Sequence, residues 1–109
     1  MSLEKPGCPG IPEIVDFDKD FVKLQWDPPA KDGNAPITGY IIEKKDKISG
    51  EWVKAADVKG NEGKVGGLIE GEKYEFRVRA VNKAGPGEPS ESTPPHLAKP
   101  KFCKYLLLL

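Results

Sequence analysis

From Tyr74 to Val81 the chain alternates without a break: Tyr74, Phe76, Val78 and Ala80 fall on one parity, and Glu75, Arg77 and Arg79 on the other. Successive side chains of a β-strand point to opposite faces, so this stretch reads as a strand with one dry face and one wet face. Immediately upstream, Leu68-Ile69-Glu70-Gly71-Glu72-Lys73 reads as a turn closing onto that strand. A leucine six residues ahead of a tyrosine, with a glycine between, predicts a corner of a two-sheet sandwich. There the tyrosine hydroxyl reaches back to upstream backbone while the ring joins the core.

A chain of 109 residues is sized for one domain with a single core. Its 17 Lys+Arg balance 17 Asp+Glu, which argues against nucleic acid or an anionic membrane as the main partner, since both demand a basic excess. The 12 glycines and 11 prolines fall between apolar runs and punctuate turns. No apolar run follows Met1-Ser2-Leu3-Glu4-Lys5, so no secretory signal is read there. The apolar run from Tyr105 to Leu109 is far short of the ~20 residues of a spanning helix. Cys8 and Cys103 sit at opposite ends, outside the predicted strands, and a terminal staple between them stays open. Asn34, Asn61 and Asn82 all lack Ser or Thr two positions on, so no glycan acceptor is present. Together these features lean towards a reducing, intracellular setting.

Taken in order, Lys5 to Pro12 reads as a proline-stiffened linker. Strands are predicted over Glu13–Phe17, Phe21–Trp26, Ile37–Lys45, Glu51–Val58, Lys64–Leu68, Tyr74–Val81 and Glu88–Pro95, the last an edge strand interrupted by Pro89. Trp26 is expected at the centre of the core, with Tyr40 and Ile42 inward and Ile41, Glu43 and Lys45 outward. The fold class is therefore all-β, a seven-stranded antiparallel Greek-key sandwich of the immunoglobulin-like kind. Residues 1–10 are assigned to a tag remnant and linker, 11–97 to the domain and 98–109 to a tail without an assigned role.

Three ordered phrases carry a family resemblance: Trp26-Asp27-Pro28-Pro29, the run Pro36 to Lys45 (PITGYIIEKK), and the run Gly71 to Gly85 (GEKYEFRVRAVNKAG). They resemble a fibronectin type III domain in the wording of the titin, twitchin and projectin class of giant muscle proteins. The resemblance spans about Pro9 to Pro95. It implies a structural and interaction module of a tandem array, with immunoglobulin and fibronectin type III neighbours and a place in the cytoplasmic sarcomere, in the thick-filament region. Myosin or another thick-filament protein is the implied partner, and the isolated domain is expected to be a monomer. Two departures stand out: glycines 66 and 67 where relatives tend to place β-branched residues, and the tail from Lys101 to Leu109. An extracellular adhesion or receptor module is the alternative, although Asn82 to Gly87 carries no Arg-Gly-Asp and no Trp-Ser-x-Trp-Ser stretch is present.

Catalytic, cofactor and metal residues are assigned to none. Asp16, Asp18 and Asp20 imitate the start of a calcium loop, but Phe21 and Asp27 stand where that loop needs glycine and glutamate. Gly63-Lys64 lacks the glycine and hydroxyl spacing of a phosphate loop. His96 is the only histidine, read as an exposed residue in a proline-flanked exit, without a nucleophile partner. Lys44-Lys45-Asp46-Lys47 reads as a solvated turn. Binding is therefore expected on the outside. In the type III arrangement that the resemblance implies, the strand with Tyr40 pairs with Tyr74–Val81, so Glu43 and Lys45 should lie beside Glu75, Arg77 and Arg79. Arg77, Arg79, Glu43, Lys45 and Lys83 are the candidate protein-binding residues, together with the Asn82–Gly87 loop.

Overall fold

The computed structural model describes residues 2–102. Its strands are β1 (Glu13–Asp18), β2 (Phe21–Gln25), β3 (Gly39–Asp46), β4 (Trp52–Val58), β5 (Glu62–Val65), β6 (Lys73–Asn82), β7 (Gly85–Pro86) and β8 (His96–Leu97). One sheet has the order β1-β2-β5, the other β4-β3-β6-β7, with β8 also paired to β6. Every pairing is antiparallel. This is the all-β sandwich expected from the alternation.

Strand β6 organises the core. Tyr74, Phe76, Val78 and Ala80 are buried on its inner face, opposite Val22, Leu24 and Val65 of the facing sheet. Trp26 is buried directly beyond the end of β2, its ring edge-on to Tyr40 at 5.4 Å. The corner forms as the leucine–tyrosine spacing predicts. Leu68 is buried, and the Ile69 N–H donates to the Tyr74 hydroxyl at 2.9 Å. Tyr74→Phe keeps the ring and removes that acceptor, so a loss of about 0.5–1.5 kcal/mol is expected in urea melts. An unchanged midpoint would detach the corner from the stability of the fold.

Irregular alternation in two strands has a common cause. The β1–β2 register passes from Ile14↔Leu24 to Asp16↔Lys23, so Val15 is an extra residue and lies exposed. Likewise β3–β4 passes from Ile42↔Ala56 to Glu43↔Lys54, leaving Ala55 as the bulge. A bulge inverts parity from that point on, which a period-two pattern cannot anticipate. Strand β5 starts and ends earlier than the predicted Lys64–Leu68 stretch. At Gly63 a Cβ would sit 2.8 Å from side-chain atoms of Ile42 and Val58, so glycine is what lets the sheets approach there.

The predicted edge strand Glu88–Pro95 does not form as a ladder. Instead β7 and β8 bracket a proline-rich run that follows β6 by separate bonds. Ser90 N and Thr93 N donate to Val78 O and Phe76 O, each at 2.8 Å. In return, Val78 N and Phe76 N donate to the hydroxyls Ser90 Oγ and Thr93 Oγ1, at 3.0 and 3.1 Å. Prolines 89, 94 and 95 withhold backbone donors, and two hydroxyls serve as the acceptors in the buried positions.

His96 departs from its expected exposure. It is half-buried, pairs with Tyr74 across β8–β6, and meets the Phe17 ring edge-on at 5.1 Å. Burial, with the Lys99 charge adding to it, holds its pKa below the ordinary 6.5. The unfolded chain therefore takes up this proton first as pH falls, and stability erodes from about pH 6.5 down to the lowered value. Denaturant melts between pH 8 and 5.5 should show this slope, and His96→Gln should flatten it.

The lead-in before β1 packs on the domain. Glu4 N, Gly7 N and Gly10 N donate to Gly33 O, Lys31 O and Asp27 O at 2.9, 3.0 and 3.0 Å. Pro6 and Pro9 are buried. A Cβ at Gly33 or Gly87 would lie 2.0 Å from the carbonyl oxygens of Glu4 or Pro6, so both glycines are needed for this strap to seat. At the other end Ala98 is fully buried and exchanges backbone bonds with Gly71 and Glu72.

Candidate functional site

The wet parity of β6 lies between β3 and the proline-rich edge, and the register fixes which charges meet. Glu43 faces Arg77, Lys45 faces Glu75, and Ile41 faces Arg79. Glu43 Oε1 accepts from Arg77 Nε at 2.7 Å and from Arg79 Nε at 3.1 Å. Lys45 Nζ is 3.3 Å from Glu75 Oε2, and Ser92 Oγ contacts Glu75 Oε1 at 3.4 Å. One carboxylate thus serves two guanidiniums. Arg79 is further fixed by donating from Nη1 to Gly87 O at 2.9 Å.

Trp52 completes the centre. It pairs with Lys45 across β3–β4, and its ring lies 4.2 Å from the Arg77 guanidinium and 5.1 Å from Lys45 Nζ. A guanidinium over an indole face is held there by attraction to the ring's π-cloud. Trp52 lies in the strand expected over Glu51–Val58, but its face is not legible from alternation because the Ala55 bulge breaks the parity of β4. Once the register is known, the Lys45↔Trp52 pairing is the signal.

Four of the five candidate residues, Glu43, Lys45, Arg77 and Arg79, share this face. Lys83 does not join them. It is exposed in the turn between β6 and β7 and makes no ion pair among the described residues. Its neighbour Asn82, expected from the sequence in an outward loop beside the charged face, is instead the buried end of β6.

Elsewhere, two buried ring nitrogens, Trp26 Nε1 and His96 Nε2, have no hydrogen-bond partner among the described residues, while the carboxylates of Asp16 and Asp18 are engaged. Asp16 accepts from Lys101 Nζ and from Phe17 N, which together hold its carboxyl below the usual range. Asp18 accepts from Lys19 N in the β1–β2 turn. No cluster of three or more His, Cys, Asp or Glu converges among the described residues. Cys8 is exposed and has no disulfide partner among the described residues, and the Cys8–Cys103 pairing falls outside them. No described helix is long and apolar enough to cross a membrane.

The sequence profile of the fibronectin type III domain matches residues 10–96. The chain is 37% identical over 97 residues to human cardiac-type myosin-binding protein C, covering 87% of this chain and 8% of that protein. Among solved structures, the twitchin kinase region from C. elegans superposes with a TM-score of 0.85 at 38% identity, over 88% of this chain and 17% of that one. A titin fragment superposes with a TM-score of 0.84 at 34% identity, over 88% and 33%. The chain thus spans a small part of each of these relatives, and it is homologous to modules of muscle proteins. With its corner tyrosine, its two-sheet topology and the profile match over residues 10–96, it belongs to the fibronectin type III family, in the class that builds the giant muscle proteins.

Proposed function

We propose that this domain is a non-catalytic module of a tandem array in a giant sarcomeric protein, carrying load in series and docking a thick-filament protein, such as myosin, on the outer face of the β3–β6 sheet. The arrangement that carries this reading is the shared Glu43 carboxylate. It holds Arg77 and Arg79 side by side, with Arg77 over the Trp52 ring, at little entropic cost on binding. Arginine and tryptophan fixed in this way are the residue types that dominate interface energetics. Immunoglobulin and fibronectin type III domains would be its neighbours in the array.

The path of the chain suits an in-line arrangement. The N-terminal strap is tied at Asn82 and the C-terminal segment at Glu72, at opposite ends of the ten-residue strand β6. At about 3.4 Å per residue these anchor points are roughly 30 Å apart. Force passing through the domain then runs along β6 and its neighbours. The test is co-sedimentation of the domain with myosin filaments. Arg77→Ala combined with Arg79→Ala should weaken binding at least about tenfold, since each buried interface arginine contributes on the order of 1 kcal/mol or more. Unchanged binding by a double variant that melts like wild type would reject this face.

A further inference from the structure

A shallow depression opens on this outer face, beside the arginine pair and away from Trp52. Ile41 and Pro86 line it with apolar surface, and Lys5, Lys54, Arg79 and Glu43 surround them. Glu43 is already engaged by two guanidiniums. Among the described residues Lys54 pairs only with Asp57, in the open. Lys5 has no ion pair among the described residues. Cationic charge therefore exceeds anionic charge around an apolar floor, although the chain as a whole is neutral.

Lys5 reaches the depression from the N-terminal strap, not from the sheet. Its Cε lies 3.8 Å from where a Cβ on Gly85 would stand, so its stem runs along the β6–β7 hairpin. The strap is held there by the Glu4–Gly33 backbone bond and by Asn82, whose Nδ2 donates to Glu4 O at 2.7 Å. The rim is thus composite and complete only while the strap is seated.

We infer that this depression binds an extended acidic segment of a protein partner, an apolar side chain resting on Ile41 and Pro86 and flanking carboxylates meeting Lys5, Lys54 and Arg79, and that strap docking and partner binding reinforce each other. The inference rests on the docking face proposed above and names its chemistry. The coupling is reciprocal: a partner that needs Lys5 in place stabilises the seated strap, and a loosened strap weakens the partner by the same factor. Because the attraction is between exposed charges, it falls with added salt.

The probe is a synthetic ten-residue peptide alternating Glu and Leu, titrated into the 15N-labelled domain at low salt, beside a control with Lys in place of Glu. Shift changes are expected at Ile41, Lys54, Arg79 and Lys5, for the acidic peptide alone. Combining Lys5→Ala with Lys54→Ala, both exposed positions, should weaken it roughly tenfold. Asn82→Ala, which touches no wall of the depression, should also weaken it by releasing the strap, and the acidic peptide should slow hydrogen exchange at Glu4 and Gly7 in the wild type. Equal binding of both peptides, no binding, or shifts centred on Lys44, Lys47 and Lys73 would overturn the inference. If filament binding is still lost in the Arg77→Ala, Arg79→Ala double variant, the docking face stands and only its acidic chemistry falls.

Discussion

Trp26→Ala is expected to lower the unfolding free energy by about 3–5 kcal/mol, and Leu68→Ala by about 2–5 kcal/mol. Against a total of roughly 5–15 kcal/mol for a domain of this kind, either change brings the fold near its limit. The reason is geometric. Trp26 is only 3% exposed and closes the space between the sheets against Tyr40, while Leu68 is 5% exposed and seals the corner beneath Tyr74. The backbone at Trp26 is held independently. Its N–H donates to Asn61 O at 3.0 Å, and its carbonyl accepts from Asn61 Nδ2 at 3.1 Å. The substitution therefore removes packing without untying the strand, and the two sheets must either close on a void or separate. Urea melts should show an earlier midpoint with an unchanged slope. Lys19→Ala, on an exposed turn, is the control and should stay within about 0.5 kcal/mol of wild type. A loss below about 1 kcal/mol at Trp26 would mean that the sheets are not clamped on this ring.

What the sequence made legible is what period-two alternation and short-range spacing encode. Tyr74 to Val81 showed both faces of β6, and the Leu68–Gly71–Tyr74 spacing showed the corner down to its hydrogen bond. The ladder of Glu43 and Lys45 with Glu75, Arg77 and Arg79 followed once the two strands were paired. What stayed hidden depends on single-residue insertions and on contacts far apart in the chain. The extra residues Val15 and Ala55 shift parity, so Trp52 could not be given a face. The last edge was misread because Ser90 and Thr93 supply side-chain acceptors, which leave no hydrophobic period to count. Asn82 lies on the inward parity of β6 but is polar, so alternation alone treats it as the end of the strand. Its partners, Glu4 and Asp32, are 78 and 50 positions away.

Asn82 is also where the second large effect is expected. Its side chain is buried, Nδ2 donating to Glu4 O and Asp32 O at 2.7 Å each, while Oδ1 accepts from Ala84 N at 2.8 Å. One amide thus fastens the strap, the β2–β3 loop and the β6–β7 turn. Asn82→Ala should cost about 1–3 kcal/mol by leaving these groups unpaired, and hydrogen exchange at Glu4, Gly7 and Gly10 should accelerate. Asn82→Asp keeps the shape and the acceptor for Ala84 but turns carboxylate oxygen towards two carbonyl oxygens, so it should destabilise more than the alanine. Its sign with pH follows. A carboxyl whose charged form is disfavoured in the folded state has a raised pKa there, so its penalty grows as pH rises from the unfolded value near 3.9 through the folded one. The aspartate variant should therefore recover towards the alanine variant on acidification, while the alanine variant keeps only the pH dependence of the wild type. Equal stability of the two variants at pH 7 would show that the strap is held by its backbone bonds to Gly33, Lys31 and Asp27, and that the Asn82 donor is dispensable.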